Sequence, residues 1–431
     1  MNIVWALIIF SAVVVIHELG HFLLARKNGV AVTEFSVGMG PRLASFVRGG
    51  TRYSLKLFPI GGSCMMVGED EVSDDPNAFH KKSVWARISV IVAGPLFNFI
   101  LAFLLSLFVI GGIGYDPALV VSVDENSPAA AAGLQEGDLI TSFGGKRISI
   151  GRELSNYLQF HPVSERDIAV SYTRDGEHYK TVLHPVKREV YLLGFQYYSS
   201  EVAAEISSLT EESVLAQAGV QAGDIITAVN GTSVANGAEL SQYFNLNPLN
   251  EEAVEVTLQR GEKEYTVSVT PAYAGASYSI GMSHNLGRVR TGVWGTLKYS
   301  LNEVRFWISS TIESLGQMIT GRVSKDDIAG PVGIVDMIGN TYEQSKQDGL
   351  WYILLNMANI SILLTANLGV INLLPIPALD GGRLVFLLIE AVRGKPIAPE
   401  KEGIVHLIGF AALMVLMVFV LFNDVSRLFG R

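Results

Sequence analysis

The sequence predicts a multi-pass α-helical membrane protein with four transmembrane helices, a membrane-associated β-hairpin and two α+β domains inserted between helices 2 and 3. Four apolar runs are long enough to cross a hydrocarbon core about 30 Å thick. Charged residues make up only 17% of the chain, below the roughly 25% usual in soluble domains. Between the second and third runs lies an acidic stretch that carries an internal repeat.

The first run, Asn2–Ala25, has no polar face and ends at Arg26-Lys27. No basic residue precedes it and it is too long for a signal-peptide core, so it reads as a retained transmembrane helix. The loop Arg26–Ser83 carries eight lysines and arginines and is expected on the cytoplasmic side. Within it, Phe35–Gly40 and Arg52–Pro59 show strand character, with alternation through Tyr53, Leu55 and Leu57. They are expected to pair as a hairpin dipping into the membrane, whose edge can take up an extended peptide. The second span, Val84–Ile113, contains Gly94-Pro95 and Asn98, which predict a kink and a polar group facing protein.

Residues 114–283 hold ten lysines and arginines against 22 carboxylates, a balance that argues against nucleic acid as a partner. Ala131–Ile148 aligns without gaps on Gln217–Val234 at an offset of 86 residues. Each copy reads as a short helix, Gly-x-x-x-Gly-Asp, a strand and a glycine turn. Alternating pairs follow: Asp167–Thr173 with His178–Leu183, and Ala253–Gln259 with Glu264–Thr270. The pattern resembles PDZ domains of the bacterial protease type, expected over residues 114–189 and 190–283. That resemblance implies capture of C-terminal peptides at a Gly-hydrophobic loop, with Gly194-Phe195 as the candidate in the second copy and Gly114-Tyr115 a weaker one in the first. Residues 284–349 predict an amphipathic helix through Trp294, Leu297, Leu301, Val304, Trp307 and Ile308, and a turn at Ile328–Gly333. The third and fourth spans are Leu350–Leu374, with a polar tail to Asp380, and Ile404–Phe422. The basic residues after Asp380 predict a cytoplasmic loop. Four crossings then place the repeat region outside the cell.

Within the first span lies His17-Glu18-Leu19-Gly20-His21. Two imidazoles four residues apart share one helix face and can hold a zinc ion, with Glu18 as general base. A catalytic zinc site needs a third protein ligand. Most remaining histidines lie in the outer segments, and the single cysteine, Cys64, cannot build a thiolate site. His406 stays a reserve candidate. Asp380 is the better one, since a carboxylate at the end of an apolar span is costly unless it holds a cation. Pro375 and Pro377 break the helix before it, and irregular backbone at membrane depth is tolerated where it lines a cavity.

His17-Glu-Leu-Gly-His21 followed by Asn372-x-x-Pro375-x-Pro377-x-x-Asp380-Gly resembles the site-2 protease family of intramembrane zinc metalloproteases (peptidase M50B). The four-helix layout with tandem PDZ domains is similar to its bacterial RseP-type (regulator of sigma-E protease) members. The resemblance spans the chain and includes Gly94-Pro95-x-x-Asn98. It implies one zinc ion held by His17, His21 and Asp380, with Glu18 as base, Asn372 orienting the substrate backbone and Pro375 and Pro377 shaping the same loop. It also implies residence in the bacterial cytoplasmic membrane, with the site toward the cytoplasm. The substrates implied are single-span membrane proteins already trimmed outside, such as an anti-sigma factor or signal-peptide remnants. Two competing readings are weaker. A PDZ scaffold has no need of Glu18 or Asp380, and a transporter would show repeats among its apolar spans, where none is found.

Overall fold

The apolar first run forms α1 (Asn2–Lys27), with Arg26 and Lys27 in its last turn where the helix dipole favours cations. The computed structural model describes residues 2–69, 71, 73–198, 202–285, 287–321 and 330–429. It contains two compact units. One is built from Met1–Ala118, Ser149–Asn156 and Leu286–Arg431, the other from Leu119–Ile148 and Tyr157–Asn285.

In the first unit α1 is followed by β1 (Val32–Arg48) and β2 (Thr51–Met66), joined at Gly49-Gly50, both with positive φ as a tight hairpin turn requires. The expected hairpin is present but larger and doubled. Phe35 pairs with both Tyr53 and Cys64, while Ser45 pairs with Ser54. Glycines with positive φ at 38, 40 and 61 let each strand bend back. Four extended segments result, in the order 62–66, 32–37, 51–55 and 42–48, and residues 62–66 form one edge. The second span is α2 (Val84–Ile113), capped by the Ser83 hydroxyl, which accepts from Ala86 N–H. It runs as one helix through Pro95.

The second unit holds the two repeat copies. The chain passes through β3 (Leu119–Val123), α3 (Pro128–Ala131), β4 (Leu139–Phe143), β5 (Lys146–Arg147), α4 (Gly151–Phe160, whose residues up to Asn156 belong to the first unit), β6 (Ile168–Arg174), β7 (Glu177–Leu183) and β8 (Val186–Leu192). The second copy follows with β9 (Phe195–Tyr197), β10 (Ile206–Leu209), α5 (Val214–Gln217), β11 (Ile225–Val229), β12 (Thr232–Ser233), α6 (Gly237–Leu246), β13 (Val254–Arg260) and β14 (Lys263–Val269). Then β15 (Ala272–Ser279) pairs with β8, and β16 (Met282–Asn285) pairs with β3. The expected strand pairs are β6 with β7 and β13 with β14.

The repeat's Gly-Asp has a structural reason. Asp138 and Asp224 are fully buried, and each accepts two guanidinium bonds from an arginine 36 residues on. Arg260 holds the Asp224 carboxyl well below its usual range. Beside these matched pairs, the copies differ in chain order. Thr210 N–H bonds to Gly194 O, and the Ser213 hydroxyl bonds to Leu193 O. At the same offset of 86, Asp124 N–H and the Ser127 hydroxyl bond to Gly281 O. Leu215 N–H reaches Leu193 O as Ala129 N–H reaches Ile280 O. The partner of Gly194-Phe195 is therefore Gly281-Met282, not Gly114-Tyr115. The first copy is closed by a strand arriving after the second, and the boundary drawn at residue 283 runs through that strand. Gly114 instead caps α2, and Tyr115 bridges to Val289.

The first unit resumes with α7 (Val293–Ile319), α8 (Pro331–Ser345), α9 (Leu350–Leu373), α10 (Asp380–Arg393) and α11 (Pro399–Phe429). The amphipathic helix is present as α7 and buries part of the expected stripe, Val304 with Trp307 and Ile308 packed beside it. Val304 and Phe306 are buried, whereas Trp294 and Leu301 are 84% and 60% exposed. Of the expected turn, residues 328 and 329 lie outside the described residues, and Gly330 is the N-cap of α8. Asp424 of α11 accepts from Gly330, Val332 and Gly333 N–H at 3.0 Å each, satisfying that helix end. The loop expected after Asp380 is mostly helix α10. Among the described residues, α1, α2, α9 and α11 contain the four segments long and apolar enough to cross a membrane. Apolar clusters join α1 to α8 and α9, and α2 to α7 and α9.

Candidate metal centre

Helical spacing sets His17 and His21 on one face of α1, buried against α2. Their approach depends on two glycines. A Cβ at Gly20 would stand 2.3 Å from Ala93 O, and one at Gly94 would stand 2.3 Å from His21 Nε2 and 2.7 Å from His17 Cε1. Only hydrogen in place of a side chain leaves room for both rings.

Asp380 arrives from the other side. The irregular segment between α9 and α10 turns at Ile376, whose N–H bonds to Leu374 O, and Leu379 caps α10. Asp380 is the first residue of that helix. Gly381 and Gly382 follow because a Cβ at either would collide with carbonyl oxygens of Leu374 and Ile376, at 2.0 and 2.5 Å. The Asp-Gly-Gly sequence thus folds the first turn of α10 against the loop and points the carboxylate at α1.

The three donor atoms form a nearly equilateral triangle. His17 Nε2 and His21 Nε2 are 3.2 Å apart, and Asp380 Oδ2 lies 3.1 and 3.3 Å from them. His21 Nδ1 lies 2.9 Å from Val90 O and can only donate there, so Nε2 presents a lone pair. Asp380 Oδ2 is buried with no hydrogen-bond partner. Lone pairs converging without a proton between them repel unless a cation sits among them. Ligand atoms of a tetrahedral zinc with bonds of about 2.0–2.1 Å stand about 3.3–3.4 Å apart. The donor set therefore fits zinc.

Asn98 of α2 supports the same centre. Its Nδ2 is 3.2 Å from His17 Nδ1, and its buried Oδ1 has no hydrogen-bond partner. Turned over, the amide oxygen would accept the Nδ1 proton and leave His17 Nε2 free for the metal, the usual outer-shell role.

A cavity of about 840 Å³ opens onto these groups. Glu18, Asn372, Arg383 and Glu69 share its wall with the three donors. The rest comes largely from Ser63–Gly68, and Cys64 N–H donates to the Glu18 carboxylate. Burial pushes the Cys64 thiol up, which keeps it protonated and inert. Tyr53, Leu55 and Leu57 do not line this cavity. Tyr53 packs on Phe22, Phe35 and Phe46, and the two leucines lie on interior segment 51–55 or just beyond it, about half exposed. The edge that reaches the cavity is 62–66, which sequence alternation could not single out because Gly62-Ser63-Cys64-Met65-Met66 does not alternate apolar with polar residues. Pro375 and Pro377 shape the loop without lining the cavity. His406 lies outside the donor triangle, where its Nδ1 accepts from Ala378 N–H at 2.8 Å.

A zinc metalloprotease built on apolar helices is the class these donors and their neighbouring glutamate define. The chain belongs to peptidase family M50, whose family model matches residues 5–416. It is similar to the zinc metalloprotease RasP of Geobacillus kaustophilus, 33% identical over 444 residues that cover 99% of this chain and 98% of that protein. The regulator of sigma-W protease RasP of Bacillus subtilis is 32% identical, over 98% of both chains. The regulator of sigma E protease of Haemophilus influenzae is 31% identical, over 99% of this chain and all of that one. The protein is a zinc metalloprotease of the membrane.

Proposed function

We propose that this chain is an intramembrane endopeptidase that cuts single-span membrane proteins, an anti-sigma factor or signal-peptide remnants among them, and so regulates a sigma factor. The observation that carries the reading is the donor triangle of His17, His21 and Asp380 between apolar helices. In this reading those three residues hold the zinc ion. Bound zinc polarises a carbonyl and makes water a nucleophile near neutral pH. Glu18, fixed by Cys64 N–H, takes the proton from the attacking water and hands it to the leaving amine. Asn372, on the cavity wall, orients the substrate backbone, and Pro375 and Pro377 hold its loop open.

A transmembrane substrate hides its peptide bonds in helical hydrogen bonds and must be unwound before cleavage. Unwound backbone in lipid needs new partners. The edge 62–66 supplies them by strand addition beside Glu18. The two repeat copies act as PDZ domains on the outer face of the bacterial cytoplasmic membrane, with carboxylate loops at Gly194-Phe195 and Gly281-Met282. There they exclude substrates that still carry bulky outer domains.

The test is cleavage of a single-span model substrate by purified protein in detergent, wild type beside Glu18→Gln. Cleavage by wild type alone, abolished by a zinc chelator, is expected. Equal cleavage by both would remove Glu18 from the chemistry. Wild-type cleavage confined to segments outside the apolar span would overturn the intramembrane reading.

A further inference from the structure

Four non-glycine residues have φ in the left-handed region among the described residues. Asn126, Asp175 and Asn230 are of the types that tolerate it. Ala378, at +74°, is not, and it stands two residues before Asp380. Its backbone is held from outside the loop. His406 of α11 accepts the Ala378 N–H at Nδ1, 2.8 Å away, and the ring is 5.7 Å from that of Phe386 on α10. One turn further along α11, a Cβ at Gly409 would stand 2.4 Å from Pro377 Cβ and 2.7 Å from Pro377 O. The helix therefore crosses the loop at closest approach there. Elsewhere α11 is mostly exposed; among its described residues only Asp424, bonded to the N-terminus of α8, is buried.

We infer that His406 is a positioning residue for the zinc centre: by accepting the Ala378 N–H it fixes the left-handed turn that sets Asp380 against the histidine pair. This rests on the reading of Asp380 as the third zinc ligand. An alanine in the left-handed region prefers to relax toward negative φ, and a relaxed 378 would swing the first turn of α10 and its carboxylate away from α1. The imidazole bond, with Pro377 seated under Gly409, opposes that relaxation. Because α11 makes few other contacts with the site, its grip on the loop is local and separable from the global fold.

The experiment measures zinc affinity by chelator competition on the full-length protein in detergent, with helix content monitored in parallel. His406→Ala is expected to weaken zinc retention by about 10–100-fold, the range for lost outer-shell support. His406→Asn, whose amide oxygen can accept the same proton, should recover part of the loss. Ala378→Gly added to His406→Ala should recover most of it, since glycine adopts the left-handed turn without help. A purely structural role for His406 would not be rescued at residue 378. Wild-type zinc affinity in a folded His406→Ala protein, or no recovery on adding Ala378→Gly, overturns the proposal. Asp380→Asn is the control: wild-type affinity there would refute the ligand assignment itself, and the positioning role would fall with it.

Discussion

Asn98 on α2 faces His17 on α1, with its amide nitrogen 3.2 Å from the ring Nδ1 and its amide oxygen buried without a hydrogen-bond partner. Thr365 of α9 bonds the Asn98 backbone oxygen at 3.2 Å, so the residue is held from a third helix as well. Such an amide sets the tautomer of a ligating histidine. Asn98→Leu should therefore lower zinc affinity by about 10–100-fold while leaving helix content unchanged. Asn98→Asp, which accepts the same proton, should lose less. Equal affinities in all three proteins would show that His17 needs no such partner.

Gly94 makes no bond to His17 or His21, yet it decides whether their rings fit side by side. A Cβ there would overlap both rings, at 2.3 Å from His21 Nε2 and 2.7 Å from His17 Cε1. Gly94→Ala is expected to abolish stable zinc binding, whereas Gly111→Ala on the same helix should be neutral, as a Cβ there meets nothing closer than 4.0 Å. The measurement is metal content after dialysis. A fully loaded Gly94→Ala protein would mean that α1 and α2 can separate without loss of the site.

How much of this was legible in the sequence depends on range. His17 and His21 could be read because their spacing is local and helical, and Asp380 because a carboxylate closing an apolar run is an anomaly. Asn98 was visible as a polar residue in a span, but its partner was not. The cavity edge 62–66 was hidden. It depends on bends at Gly38, Gly40 and Gly61 that make one strand pair with two segments of its neighbour. Gly281 was hidden for a different reason. The repeat alignment runs forward at a fixed offset, whereas the loop precedes its copy in one case and follows it across the whole second copy in the other. His406, a reserve ligand by sequence, instead accepts the Ala378 N–H, a contact between distant segments that no local pattern announces.

Glu34 gives the sheet beside the site an acid-sensitive joint. Arg42 donates to both its carboxylate oxygens at 2.8 and 3.0 Å, the Ser54 hydroxyl donates at 2.6 Å, and Lys56 stands 3.9 Å away. Arg42 foremost holds the carboxyl down to about 2, against an ordinary 4.5, although burial opposes it. A depressed folded-state value stabilises the sheet above about pH 4.5 and loses that contribution as pH falls toward 2. Amide exchange in residues 32–66, corrected for its intrinsic pH dependence, should therefore quicken across that window in the wild type. In Glu34→Gln it should already be faster at neutral pH and change little on acidification. Identical profiles would mean the joint contributes nothing.

The nesting of the repeat copies makes a prediction about where peptides bind. The carbonyl of Gly281 is held by Asp124 N–H and the Ser127 hydroxyl, as that of Gly194 is held by Thr210 N–H, and both glycines have positive φ. A Cβ at Gly281 would stand 2.1 Å from Ser127 Cβ, so the loop conformation is specific to glycine. If the copies capture C-terminal carboxylates, a saturating peptide should slow amide exchange at residues 281–283 or 194–196 and leave 114–116 untouched. Gly281→Val should abolish the first effect without altering the second, because each loop is built within its own copy. Protection at 114–116 would return the binding loop of the first copy to Gly114-Tyr115. Protection at neither loop, with a peptide library of varied C-termini, would leave the copies as a steric filter only. The two outcomes separate a reader of trimmed substrate ends from a gate that senses size alone.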